Sequence, residues 1–119
     1  MAKVLVADDF SLTIEMLESI LTEAGYEVCS THDGKYVVKM IENEKPDLVI
    51  LDVYMPEQDG IQTLSKIRQR WKELPVISVT GGGKSGHDYS ELMLDLGADG
   101  YFTKPINTTE LLSAIEKLV

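Results

Sequence analysis

Residues 47–60 read DLVILDVYMPEQDG. Leu48, Val49, Ile50 and Leu51 form an unbroken apolar run. That is the pattern of a short strand covered on both faces, not of a strand with one wet face. The run meets a carboxylate at Asp52, and the chain turns soon afterwards at Met55-Pro56. A carboxylate at the end of a buried strand costs free energy unless it is solvated, paired or placed beside a cation. A solvated strand end accounts for Asp52 taken alone, so the rest of the chain has to decide.

Comparable apolar runs lie at Lys3–Ala7, Glu27–Thr31, Pro75–Val79 and Gly100–Thr103, with the quoted one at Asp47–Leu51. Helical spacing fills the intervals. In Ser11–Ala24 the inward face is expected to be Leu17, Ile20, Leu21 and Ala24, with Gly25 as the stop. Lys35–Asn43 turns Val38, Ile41 and Val37 inward; Ile61–Trp71 turns in Ile61, Leu64 and Ile67, with the stem of Arg68 or Trp71. Tyr89–Leu96 offers Leu92, Met93 and Leu96, and a last helix capped by Asn107 or Thr108 offers Leu111, Leu112, Ile115 and Leu118. Five βα units make a doubly wound α/β fold, a (βα)5 parallel five-stranded sheet with helices on both faces. Residues 1–119 are expected to be one domain. In such sheets ligands bind beyond the carboxyl ends of the strands.

Composition narrows the function. The net charge of −9 argues against a basic face for nucleic acid. One cysteine, Cys29, excludes an internal disulfide and a multi-cysteine metal site, and it reads as a small core residue. No apolar run approaches the roughly 18 residues of a membrane span, and acids arrive too early in MAKVLVADD for a signal peptide. The expected location is the cytoplasm.

The strand ends carry Asp8-Asp9 after the first strand, Asp52 after the third, Thr80-Gly81 after the fourth and Lys104-Pro105 after the fifth. Each has a plain explanation as a helix cap, a β-branched strand residue or a solubilising charge. Together they put three carboxylates, a hydroxyl and an ammonium on one rim. Crowded carboxylates raise one another's pKa unless a cation sits among them. A small all-oxygen donor set suits Mg²⁺, which keeps several waters and shares its shell with a phosphoryl group. Lys104 and Thr80 can meet phosphoryl oxygens, and a carboxylate facing a metal and a lysine can attack phosphorus. On this reading Asp52 is a nucleophile placed where the sheet opens.

Asp8-Asp9, Asp52 with Met55-Pro56 and Asp59-Gly60, Thr80, and Tyr101 before Lys104-Pro105 resemble the receiver domain of two-component response regulators along the whole chain. The resemblance implies the flavodoxin-like, chemotaxis-regulator-like strand order 2-1-3-4-5. It implies that Asp52 accepts a phosphoryl group from a sensor histidine kinase or phosphotransfer protein. Asp9, Asp52 and the Tyr54 carbonyl would ligate Mg²⁺, with Asp8 acting mainly through water. Thr80 and Tyr101 would switch a surface read by a downstream protein, Lys104 would pair with the phosphoryl group, and the Lys104–Pro105 peptide would be cis. Phe10, Leu12 and Pro105 would touch the kinase or transfer partner. The protein would be a signalling domain that catalyses its own phosphorylation and dephosphorylation, not an enzyme acting on a separate substrate.

Two stretches depart from the pattern. Tyr54 is bulky, and its ring is expected to cover one approach of water to the phosphoryl group. The segment GGGKSGHDYS after Thr80 is rich in glycine. Gly81-Gly82-Gly83-Lys84-Ser85 is similar to the end of a P-loop, but the pattern needs a glycine where Ser78 stands. An aspartate phosphatase would want a second acid where Tyr54 stands, and a flavin binder would want a hydroxyl- and glycine-rich loop where ADDFSLTIE is acidic. A receiver that binds partners without being phosphorylated is the rival from the interaction class. His32 and His87 have no paired ligand spacing and read as surface residues, and Trp71 reads as packing.

Overall fold

The computed structural model describes residues 2–54, 58–81 and 90–119, the side chain of Ser90 excepted. The strands are β1 (Lys3–Ala7), β2 (Glu27–Thr31), β3 (Leu48–Asp52), β4 (Val76–Thr80) and β5 (Gly100–Thr103). The helices are α1 (Ser11–Glu23), α2 (Val37–Glu44), α3 (Gly60–Arg70), α4 (Ser90–Asp95) and α5 (Thr108–Leu118), with a single 3-10 turn at Gly34–Tyr36 before α2. The strands form one parallel sheet in the order β2-β1-β3-β4-β5. β1, β2 and β5 begin and end where the sequence places them. β3 and β4 each sit one residue later, so Asp52 and Thr80 are the last residues of their strands.

Strand side chains alternate between faces, and the alternation sorts the interior into two cores. Leu5, Ala7, Val49, Leu51 and Val76 pack with Val37 and Ile41 of α2, Leu64 and Ile67 of α3, and Met93 of α4. Val4, Val6, Leu48, Ile50, Ile77 and Val79 pack with Ile14, Leu17 and Leu21 of α1 and Leu111 and Ile115 of α5. Covering both faces explains why β1, β3 and β4 read as continuous apolar runs.

The helix faces differ in detail from the sequence reading. In α1 the buried residues are Thr13, Ile14, Leu17 and Leu21, while Ile20 is half-buried and Ala24 exposed. Ala24 is the cap, where the chain leaves the sheet, and Gly25 at φ 96° closes the end: its N–H donates to Thr22 O and that of Tyr26 to Leu21 O. In α2 the 3-10 turn shifts the helical phase, burying Val37 and Ile41 and leaving Val38 half-buried. Leu92 of α4 is exposed and Met93 buried, since neighbours on a helix point about 100° apart and Met93 takes the inward side. Cys29 is only half-buried, since β2 is an edge strand with less cover. Trp71 is partly buried against the first core, as packing residues are. No helix among the described residues is long and apolar enough to cross a membrane.

At the amino edge of the sheet one arrangement occurs twice. Asp47, just before β3, donates its N–H to Lys3 O at 2.7 Å, and its Oδ2 accepts from Lys3 N at 2.8 Å. Asp99, just before β5, does the same with Val76, at 2.7 and 2.9 Å. Arg68 joins this edge: Nε and Nη2 donate to Gly97 O at 2.9 and 2.7 Å, and Nη1 donates to Trp71 O at 2.8 Å. Its Nη2 also lies 3.2 Å from Asp99 Oδ2. These carbonyls belong to helix ends that lack intrahelical donors.

Candidate functional site

The site lies at the opposite, carboxyl edge. Asp8 follows β1 and is held by its own backbone, whose N–H donates to Thr31 O at 3.2 Å. Its Oδ1 accepts from the Phe10 N–H at 2.9 Å, and its Oδ2 accepts from Lys104 Nζ at 2.9 Å. Asp52 ends β3, and its Oδ1 accepts from the Tyr54 N–H at 3.3 Å. Its Oδ2 lies 3.6 Å from Lys104 Nζ. Asp8 and Asp52 are buried, at 2% and 3% exposure, while Asp9 faces solvent. One carboxylate oxygen from each of the three lies within 4.8 Å of the others.

Three carboxylates around one ammonium are under-neutralised. Burial, and then the charge of Asp8, push the Asp52 carboxyl up to about 7, against the opposing pull of Lys104 and the Tyr54 N–H. For Lys104, burial works to lower the pKa. The hydrogen bond it donates to Asp8 and the charges of Asp52 and Asp8 outweigh it and hold the ammonium above its ordinary value. The donor set is hard, all-oxygen and short of positive charge, which fits a divalent cation such as Mg²⁺.

Gly60 explains the Asp59-Gly60 pair. A Cβ there would lie 2.3 Å from Asp52 O and 2.7 Å from Val53 Cα, so only glycine lets α3 start against the end of β3. Gly60 N donates to Val53 O at 2.8 Å, and the Asp59 carboxylate caps α3 by accepting from Gln62 N at 2.9 Å.

Thr80 is buried at the end of β4, and its carbonyl accepts from Lys104 N at 2.9 Å. Tyr101 lies on β5 opposite Ser78, with its ring exposed. The Lys104–Pro105 peptide is cis. Phe10 and Leu12 are exposed, and with Pro105 they border an open, mostly apolar groove of about 490 Å³ that also takes in Met16 and Ile106. The ring of Tyr54 is exposed at the rim. His32 is exposed, its Nε2 3.3 Å from Ser11 Oγ. Met55, Pro56, Gly82 to Ser85 and His87 lie outside the described residues.

Comparison with known proteins agrees with this geometry. Residues 4–116 match the response regulator receiver domain family. The chain belongs to that family. Over 117 residues it is 36% identical to the alkaline phosphatase synthesis transcriptional regulatory protein PhoP of Bacillus subtilis, covering 98% of this chain and 48% of that protein. The chain thus spans about half the length of this curated relative. The receiver domain of the Francisella response regulator 1452 is 30% identical, with a TM-score of 0.89 and coverage of 99% of this chain and 96% of that one. Chemotaxis protein CheY4 of Vibrio cholerae is 29% identical, with a TM-score of 0.88 over 100% and 99% of the two chains. The receiver fold brings Asp8, Asp9, Asp52 and Lys104 together, with Thr80 on the adjoining strand end. Tyr101, on β5, is not one of this group and exposes its ring. The sequence reading missed the roles of Gln58 and Arg68, which bond to the backbone carbonyls Gly34 O, Gly97 O and Trp71 O and leave no motif.

Proposed function

We propose that residues 1–119 act as one phosphoacceptor receiver domain, taking a phosphoryl group onto Asp52 from a sensor histidine kinase or phosphotransfer protein in the cytoplasm. The observation that carries this reading is the buried Asp52 carboxylate, 3.6 Å from Lys104 Nζ and grouped with Asp8 and Asp9 at the carboxyl edge of the sheet. Asp9, Asp52 and the Tyr54 carbonyl would hold Mg²⁺, with Asp8 acting mainly through water. When bound, the ion neutralises charge on the transferring phosphoryl oxygens. A carboxylate oxygen of Asp52 attacks phosphorus, the N–P bond of the phosphohistidine breaks, and its electron pair returns to the imidazole. The product is an acyl phosphate on Asp52. Lys104 donates to one phosphoryl oxygen and the Thr80 hydroxyl to another.

That new hydrogen bond gives Thr80 a reason to move toward the site, and Tyr101 then turns inward. The phosphoryl group favours this arrangement because it interacts differently with the two states. The surface so changed, around α4, β5 and α5, is the one a downstream protein would read. The groove bordered by Phe10, Leu12 and Pro105 supports docking of the kinase or transfer partner beside Asp52. The acidic surface gives nucleic acid no direct foothold.

Acetyl phosphate with Mg²⁺ should add one phosphoryl mass to the wild type, labile at alkaline pH, and none to Asp52→Asn. Equal labelling of that variant would place the phosphate elsewhere, and no labelling of the wild type by acetyl phosphate or any kinase would remove the phosphoacceptor reading.

A further inference from the structure

The connection between β3 and α3 carries both Tyr54, next to the phosphoacceptor, and Gln58. The Gln58 amide uses both of its functions. Nε2 donates to Gly34 O at 3.1 Å and to Thr63 Oγ1 at 3.0 Å, and Oε1 accepts from Lys66 Nζ at 2.6 Å. The partners fix its orientation, because a carbonyl requires the NH₂ and an ammonium requires the oxygen. Thr63 Oγ1 in turn donates to Asp59 O at 2.7 Å, so the bonds return to the connection they started from. The backbone is interlocked at the same place. A Cβ on Gly34 would lie 1.9 Å from Gln58 O, so the turn before α2 and the β3–α3 connection touch where only glycine fits.

We propose that Gln58 is a positioning residue for the phosphoryl-transfer site, presetting the β3–α3 connection so that the Tyr54 carbonyl is in place for Mg²⁺ before the ion arrives. The inference rests on the receiver reading above. Both described ends of the connection are tied: Val53 O accepts from the Gly60 N–H, and Gln58 is bonded to the turn at Gly34 and to Thr63 of α3. With both ends fixed, Tyr54 has less conformational freedom to lose when a ligand orders it, and that saving appears as affinity. A side chain that only packed would stabilise the fold without this effect. The basic groove beside it, lined by Lys35, Lys66 and Arg70, is not the reason for the arrangement. Its cations are already engaged, with Asp33, Gln58 and Glu42 respectively.

The test uses Gln58→Met, which keeps length and loses the amide, and Thr63→Val, which removes one hydroxyl partner at nearly constant shape. Three measurements are made: metal-free melting, amide hydrogen exchange at Tyr54 in the metal-free protein, and Mg²⁺ affinity by calorimetry. Gln58→Met should exchange faster at Tyr54 and bind Mg²⁺ about tenfold more weakly, the usual size of effect for residues that support metal ligands. Thr63→Val should move both in the same direction by less. Unchanged Mg²⁺ affinity in Gln58→Met, even with a lower melting temperature, would overturn the proposal and leave the receiver reading intact. A wild type that binds no Mg²⁺ would overturn both.

Discussion

The two edges of the sheet use the same residue types to opposite ends. At the amino edge Asp47 and Asp99 each accept a backbone N–H from the neighbouring strand, and Arg68 places a cation beside Asp99 while capping two helix ends. Each of these aspartates has its Oδ2 met by a backbone N–H, and Asp99 has a cation beside it as well. At the carboxyl edge Asp8, Asp9 and Asp52 crowd together with one ammonium, Lys104, which meets Asp8 and Asp52, so three carboxylates share a single positive charge. The matched edge stabilises the fold. The mismatched edge costs stability and holds the site ready for a cation and a phosphoryl group, so function here occupies the part of the fold with its electrostatics unfinished.

The largest expected effect is on the pH dependence of stability in protein stripped of metal by EDTA. Asp52 has a folded pKa near 7, against an ordinary value of 3.8. The folded state therefore keeps a proton that the unfolded state has lost. Its stabilising contribution is full below pH 3.8 and is lost as pH rises to about 7. Melting temperature should fall across that window on account of Asp52. Saturating Mg²⁺, or Asp52→Asn, should flatten the fall. The same slope in Asp52→Asn as in the wild type would erase the difference between the edges.

Breaking the amino edge should give the converse. Arg68→Ala strips donors from Gly97 O and Trp71 O and leaves Asp99 without its cation. Denaturant titration should show a loss of roughly 2–3 kcal/mol, the scale for orphaned buried polar groups. Uptake of phosphate from acetyl phosphate should persist. A variant of undiminished stability that no longer accepts phosphate would invert the assignment of the edges.

A smaller effect sharpens the account of the carboxyl edge. The Tyr54 ring stands at the rim two residues beyond Asp52. If it screens the water that attacks the phosphoryl group, Tyr54→Ala should speed loss of the phosphate about tenfold, equivalent to about 1.4 kcal/mol of barrier. Mg²⁺ affinity should stay near that of the wild type, because the metal role belongs to the carbonyl. Equal phosphate lifetimes would show that the ring does not gate the water.

The smallest lies away from both edges. Lys45 closes α2 at φ 49°, in the left-handed region that a side chain resists. Lys45→Gly should change stability by less than about 1 kcal/mol, since relief of strain opposes the added freedom of the unfolded chain. A thermal melt reads it, and a loss of several kcal/mol would mean that Lys45 makes contacts the fold depends on.

The sequence showed the carboxyl edge far better than the amino edge, for a physical reason. Asp52 interrupts an apolar run and Asp8-Asp9 end another, so misplaced charge is visible in one dimension. Arg68 and Gln58 sit at ordinary helix and loop positions, and the carbonyls they meet, Gly97 O, Trp71 O and Gly34 O, form no sequence motif with them. Helix phase was partly hidden too: Val38 reads as inward but is only half-buried, because the 3-10 turn at Gly34–Tyr36 sets the phase of α2, and nothing in the local spacing shows that turn. The end of α2 was obscure because Lys45 takes a conformation usually advertised by glycine. At α3 the Asp59-Gly60 pair was legible as a motif, but the contact that demands the glycine is with a strand eight residues earlier.

Gly60 has a mechanical consequence. It seats the first residue of α3 against the last carbonyl of β3, and eight residues on Arg68 is bolted to the ends of α3 and α4. At 1.5 Å per residue those two fixtures are about 12 Å apart along one rigid rod. Such a rod has no soft joint in which to absorb a push. A load applied at the Gly60 seat is borne by the Arg68 fixture, so in a pulling experiment with handles on β3 and α4 these segments should yield in one step, not two.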